Sequence, residues 1–328
     1  MRPQMELRAR RACAVAAALG LTYTVSIDVP ASASGDAGAS GGPVPARLSS
    51  KRALRFGQRV IVRGSVGAGL AGVPLALEYR APGSSSWSVV ATTTSSATGS
   101  YRLSAAVLRS GALRVAEMPA AGTASVIAFR SAVPSSPNVV SASLPLRVRA
   151  GLRLGRSALN VLAGHRAAVS GSVRPARGGR LVALQVRSGR RWKTVARDRT
   201  GAGGRYRLSY TPSQTGSEQA RVSFSGDDEN APSQRSIGRL NAFRLAEASW
   251  YGPGGQTACG ETLTSSTQGV ASKTLPCGTL VTLRYGGHTV RVPVIDRGPY
   301  VAGRDFDLTI ATKEALGFPD LGAVWSTA

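Results

Sequence analysis

A chain of 328 residues, 42% hydrophobic and with 39 glycines, is too long for a single core and reads as two or three β-rich domains. Its 41 Lys+Arg against 17 Asp+Glu give a formal charge of +24, nearly all of it arginine, which favours anionic partners through long-range attraction. No basic cluster is interleaved with stacking aromatics, which argues against nucleic acid. Wall polymers carrying phosphate or carboxylate remain as candidates, beside the plain alternative of arginines scattered along solvent-facing strand positions.

Arg8, Arg10 and Arg11 precede an apolar segment, Ala12 to Val25, and a small-residue site at Ala31-Ser32-Ala33. Together these predict a secretory signal over residues 1–33, cleaved near Ser34. The apolar run is shorter than the roughly 20 residues a membrane helix needs, so no transmembrane segment is expected after signal removal. The residues after Arg10-Arg11 fit a twin-arginine signal poorly, which favours the general export route, and Cys13 opens the apolar segment rather than closing it, unlike a lipoprotein cysteine. Residues 34–46 are Ala, Ser, Gly and Pro, a flexible linker. A secreted or wall-associated monomer is expected.

A tandem repeat follows. Val60–Val66, Val73–Leu77, Trp87–Ala91 and Gly99–Ser104 recur in order as Ala168–Val173, Leu181–Leu184, Trp192–Ala196 and Gly204–Ser209. The period of about 105 residues makes each copy a domain rather than a solenoid unit, and short alternating strands with Gly and Ser turns predict two-sheet sandwiches over 47–148 and 149–244. Each copy resembles the bacterial immunoglobulin-like modules of secreted wall proteins. Trp87 and Trp192 match in position and are expected to pack on a core or sheet surface rather than to stack sugars. Asp227-Asp228-Glu229-Asn230 is expected to be an inter-strand loop, since it lacks the alternating spacing of a calcium loop.

Arg239–Phe243 is predicted as the last strand of the second sandwich and Arg244–Glu247 as a short link. Beyond it, Leu280–Leu283 and Thr289–Val292 flank Tyr285-Gly286-Gly287-His288, a hairpin. Ala311–Leu316 is predicted as a short helix capped by Thr309, and Ala323–Ser326 as a closing strand. Without the signal only Cys259 and Cys277 remain, and in an oxidising compartment they are expected to form a disulfide. No metal site or cofactor is expected.

Glu261, Asp296 and Asp307 lie among turn residues where carboxylates can face a groove. Paired carboxyls are the minimum equipment for cleaving a glycosidic bond. The ordered set Ser249-Trp250-Tyr251-Gly252, Gly260-Glu261, Lys273-Thr274-Leu275-Pro276-Cys277-Gly278-Thr279, Asp296-Arg297-Gly298-Pro299-Tyr300 and Asp307-Leu308-Thr309 resembles the RlpA-like double-psi β-barrel family over residues 245–328. The resemblance implies a six-stranded barrel, which with the two immunoglobulin-like sandwiches read from the repeat makes the chain all-β. It further implies lytic transglycosylase action on peptidoglycan glycan strands between N-acetylmuramic acid and N-acetylglucosamine, leaving a 1,6-anhydro end. Asp296 and Glu261 would be catalytic, with Tyr251, Ser272, Arg297 and Asp307 lining the groove. The family usually has histidine where this chain has Ser272, and serine cannot hold a proton near neutral pH. Phe306-Asp307-Leu308-Thr309 also looks like the corresponding expansin motif, so a wall-loosening binder that does not cut is the alternative. A third reading makes the sandwiches adhesion or spacer modules.

Overall fold

The computed structural model describes residues 53–66, 70–118 and 141–328, together with the backbone of 24–28. The linker expected over 34–46 and most of the expected signal lie outside the described residues. Within the expected signal, β1 (Thr24–Asp28) pairs in parallel with β2 (Arg59–Ser65).

The first unit continues with β3 (Pro74–Arg80), β4 (Ser88–Thr94), β5 (Ser100–Ala106), β6 (Gly111–Glu117) and β7 (Leu144–Leu146). Two sheets result, ordered β1-β2-β5 and β4-β3-β6-β7. Alternation explains the pairing: in β5 Tyr101, Leu103 and Ala105 turn inward while Arg102 stays exposed. These side chains meet Leu75, Leu77, Leu113 and Val115 in one core.

The second unit comprises β8 (Gly151–Ala158), β9 (Asn160–Leu162), β10 (Ala167–Arg174), β11 (Leu181–Ser188), β12 (Arg191–Arg199), β13 (Arg205–Tyr210), β14 (Gly216–Phe224) and the first half of β15 (Ser233–Tyr251). Its sheets run β13-β10-β8 and β12-β11-β14-β15 around Val169, Leu184, Leu208, Val222 and Phe224. The four repeated strands fall where the repeat places them. Both tryptophans lie on sheet surfaces under arginines: Arg80 and Arg114 stand 4.8 and 4.4 Å from the Trp87 ring, and Arg221 stands 4.0 Å from that of Trp192.

Asp227–Asn230 joins the two units rather than standing free. The Ser110 amide donates to the Glu229 carbonyl at 2.6 Å, and Asn230, fully buried, donates through Nδ2 to the carbonyls of Leu108 and Val148. Beneath it Arg180, 4% exposed, grips Asp227 through both Nε (2.8 Å) and Nη2 (3.0 Å) and reaches Asn230 Oδ1 at 2.6 Å.

The last unit has no separate entry. Arg244–Glu247, expected as a link, is strand: β15 leaves β14 at Ala242 and continues as partner of β20 (Gly322–Ser326) from Arg244 to Ala248. From Ala248 to Tyr251 it pairs in parallel with β19 (Phe306–Thr309). With β16 (Val270–Ala271), β17 (Leu280–Tyr285) and β18 (His288–Asp296), the order β15-β19-β16-β18-β17-β20 closes on itself through the β15–β20 pair. Val281, Leu283, Val292, Val294, Phe306 and Leu308 fill the interior. The β17–β18 hairpin turns at Gly286-Gly287, with Tyr285 opposite His288. The α1 helix (Ile310–Leu316) is capped by Thr309, whose side chain accepts from the Thr312 amide. Phe243 and Trp325, with ring centroids 5.7 Å apart, pack across the junction. No helix of the described residues is long and apolar enough to cross a membrane.

Candidate active site

Strand register assembles the site. Ala271 on β16 pairs with Asp296 on one side and Asp307 on the other, and Asp307 pairs with Ser249 on β15. Residues paired in register share a face, so Asp296, Ala271, Asp307 and Ser249 form one row across four strands. Two strand spacings place the acids' Cα atoms about 10 Å apart. Only a methyl group stands between them.

Each acid is held on one side. Asp296 Oδ1 accepts from the amides of Ala258 and Arg297, both at 2.8 Å, which leaves Oδ2 for a ligand. Asp307 Oδ1 accepts from the Ser249 hydroxyl, which in turn accepts from Arg304 at 3.0 Å. Tyr251, two residues past Ser249, turns to the same face. Its hydroxyl is buried and faces Asp296 without settling into hydrogen-bond geometry. Burial first, then the charges of Asp296 and Asp307, push its pKa well above the ordinary tyrosine value, so it remains a proton donor aimed at the acids. Tyr251→Phe is expected to leave thermal stability unchanged or raise it by about 1 kcal/mol, because an unsatisfied buried hydroxyl is removed. Any turnover carried by this row should fall; unchanged turnover with lower stability would make Tyr251 a packing residue only.

Glu261 is tied to the row through its backbone. Thr257 and Glu261 close a turn, the Thr257 amide donating to the Glu261 carbonyl at 2.8 Å and the Glu261 amide to Thr257 Oγ1 at 3.1 Å. That turn hangs on the Ala258–Asp296 bond, on the Cys259 amide bonded to the Ile295 carbonyl at 3.2 Å, and on the Cys259–Cys277 disulfide. The backbone carrying Glu261 is therefore fastened directly to Asp296. The Glu261 side chain is exposed and forms no ion pair among the described residues.

Two expected wall residues face elsewhere. Ser272, 4% exposed, accepts from the Leu275 amide through its hydroxyl at 3.3 Å and donates its own amide to the Asp296 carbonyl at 3.1 Å. It lies just past the end of β16, buried, with its hydroxyl taken up by the Leu275 amide rather than offered to the acid row. Arg297 spends its guanidinium on the carbonyls of Ser272 (3.1 Å) and Leu275 (2.8 Å) and on Cys277 Sγ (3.0 Å). It acts as a clamp on the 272–277 loop.

Tyr300 belongs to the site and was not singled out from sequence, although it closes the Asp-Arg-Gly-Pro-Tyr motif. It is 85% exposed. A methyl group placed on Gly298, whose φ is +131°, would lie 3.8 Å both from Asp307 Oδ2 and from the Tyr300 ring, so one glycine separates the acid from an open aromatic face. Among the described residues, no three His, Cys, Asp or Glu side chains gather as a metal would require.

Residues 245–325 match the model of the lytic transglycolase family, and this segment is an RlpA-like double-psi β-barrel domain. Among curated relatives, the probable endolytic peptidoglycan transglycosylase RlpA of Synechocystis sp. is 36% identical over 105 residues, covering 28% of this chain and 33% of that protein. Its namesake in Aquifex aeolicus is 43% identical over 75 residues, covering 21% and 33%. The endolytic peptidoglycan transglycosylase RlpA of Pseudomonas aeruginosa is 39% identical over 87 residues, covering 25% and 26%. The chain thus spans a third or less of the length of these relatives. Among solved structures, a tetra-tandem repeat from the extending region of a large adhesion protein aligns with 76% of this chain and 63% of its own at 16% identity, with a TM-score of 0.28. A similarity of that size specifies neither fold nor role.

Proposed function

We propose that the chain is an exported wall protein whose barrel cuts peptidoglycan glycan strands as a lytic transglycosylase, carried by two immunoglobulin-like modules. The observation that carries this reading is the register row that sets Asp296 and Asp307 on one face of the sheet, both partly exposed, with the Tyr251 hydroxyl near both. In a transglycosylase the sugar's own C6 hydroxyl attacks in place of water, so one carboxyl can serve in both proton transfers. Asp296 takes that role through Oδ2, fixed by the two amides on Oδ1. Glu261 assists from the rim, Asp307 holds Ser249 and the floor, and Tyr251 donates to whichever oxygen carries charge. Matches to proteins named as peptidoglycan transglycosylases, confined to the barrel, support the same assignment. The net charge of +24 suits a substrate embedded among anionic wall polymers.

The test is mass spectrometry of products from peptide-free glycan, where 1,6-anhydro ends are expected. Tyr300 supplies a stacking face for a pyranose ring beside the acids. Tyr300→Ala is expected to weaken glycan affinity several-fold with a smaller change in kcat, measured by steady-state kinetics on soluble glycan fragments.

One observation favours the alternative of a binder that does not cut. Position 272 is serine, turned inward, and the two histidines of the chain lie at 165 and 288, outside this row. Sedimentation with sacculi but no new ends would establish that alternative.

A further inference from the structure

The second unit carries a cleft of about 330 Å³ beside the strand that continues into the barrel. Its volume is at the lower end of small-molecule pockets, roughly 300–1,000 Å³. Register explains why charges enter it. Val186 pairs with Lys193 and with Ala220, while Glu218, two residues from Ala220, pairs with Leu240. Lys193 and Glu218 therefore project to the side of the sheet that bears Val186, Ala220 and Leu240, which is the core side.

Neither side chain is held in a contact ion pair. Lys193 and Glu218 form no ion pair with each other or with any described residue. Glu218 is only half-exposed, and in a chain with 41 Lys+Arg a carboxylate without a cation is not explained by scarcity. The nearby Arg239 feels its charge but bonds the Ser217 hydroxyl at 2.7 Å instead. Glu218, half-buried and outside any ion pair, carries a desolvation cost, while Lys193 stands exposed at the mouth of the same cleft. Tyr210 and Pro212 form an apolar wall, and Gln214 and Thr215 offer hydrogen bonds.

We propose that this cleft binds a short zwitterionic peptide, its carboxylate on Lys193 and its ammonium on Glu218, with amides on Gln214 and Thr215 and small side chains against Tyr210 and Pro212. The site is separate from the barrel row and recognises peptide, not sugar. Assigning the peptide to stems released from peptidoglycan, whose amino end is free once its amide to the sugar is cut, rests on the function proposed for the barrel; the binding site itself does not.

Calorimetry on the full chain tests it with three probes: the stem tetrapeptide, the same peptide N-acetylated, and L-Ala-L-Ala. Saturable binding of the tetrapeptide is expected, weakened about tenfold by either Glu218→Gln or Lys193→Met, the loss of one charge-assisted contact. Acetylation should cost the native chain the same tenfold and the Glu218→Gln variant nothing. Both variants, with folding checked by circular dichroism, should release glycan fragments at the native rate. Absence of saturable binding, indifference to both substitutions, displacement by peptide-free glycan, or loss of glycan release in the variants would overturn the proposal. If L-Ala-L-Ala binds with the same charge dependence while the barrel yields no anhydro ends, the cleft stands and the wall reading of the barrel falls.

Discussion

Asp296→Asn should leave the barrel folded and cut the release of anhydro-ended fragments by roughly 10²- to 10⁴-fold, the range a positioned acid–base group contributes. The separation of folding from activity follows from the geometry. Asparagine retains a carbonyl oxygen that can accept from the amides of Ala258 and Arg297, both at 2.8 Å in the native chain, so the Glu261 turn stays anchored. What is lost is the second carboxyl oxygen, which can take and return a proton where an amide nitrogen cannot. The measurement is mass spectrometry of digests of denuded sacculi beside a thermal melt. Unchanged release would leave the row as a binding surface, and a collapsed melt would make Asp296 a structural tether for the 257–261 turn.

The second large effect falls far from the barrel. Arg180→Met should destabilise the second unit by about 3 kcal/mol, because removing one partner of a buried pair strands the other. The value is taken at the low end since Asp227 keeps 26% of its side chain exposed and can regain water. Asn230 would lose its 2.6 Å bond to Arg180 while still holding Leu108 and Val148 of the first unit, so the joint between units should loosen with it. Urea titration followed by tryptophan emission measures the loss.

Its pH dependence has a definite sign. Burial raises the Asp227 pKa, but the Arg180 bonds and the Asn230 and Glu229 amides outweigh it, leaving it below the ordinary 3.8. A depressed carboxylate contributes stability that is complete above the unfolded value and is lost as pH falls through the folded one. The gap between native and variant should thus persist from neutral pH to about 4 and close below it. A gap that closes nearer pH 6 would assign the effect to another group.

Residue patterning made the local elements legible, and distance along the chain limited the rest. The paired repeat strands, the Gly286-Gly287 turn and the Thr309 cap are signalled by neighbours a few residues apart, and each lies where that signal puts it. The acids at 261, 296 and 307 stood out as carboxylates among turns. Their alignment did not, because it depends on Ala271 pairing with two strands that follow it by some 25 and 36 positions. The burial of Ser272, just past that two-residue strand, was equally hidden, since so short a strand does not announce its period. The acidic run at 227–230 looked like an ordinary loop because its partners, Arg180 and the carbonyls of Leu108 and Val148, belong to distant segments.

β15 gives up one set of neighbours at Ala242 and takes another at Arg244 without leaving extended geometry. Arg244 then ties down the far end of the chain, its Nε on the Ala328 carbonyl at 2.7 Å and Nη2 on Asp305 at 2.9 Å. A barrel mounted this way has continuous strand, not a loop, at its neck. Whatever immobilises the preceding unit also aims the row of acids, so if the barrel acts on glycan as proposed, reach along it must be supplied by motion upstream or by the lattice itself.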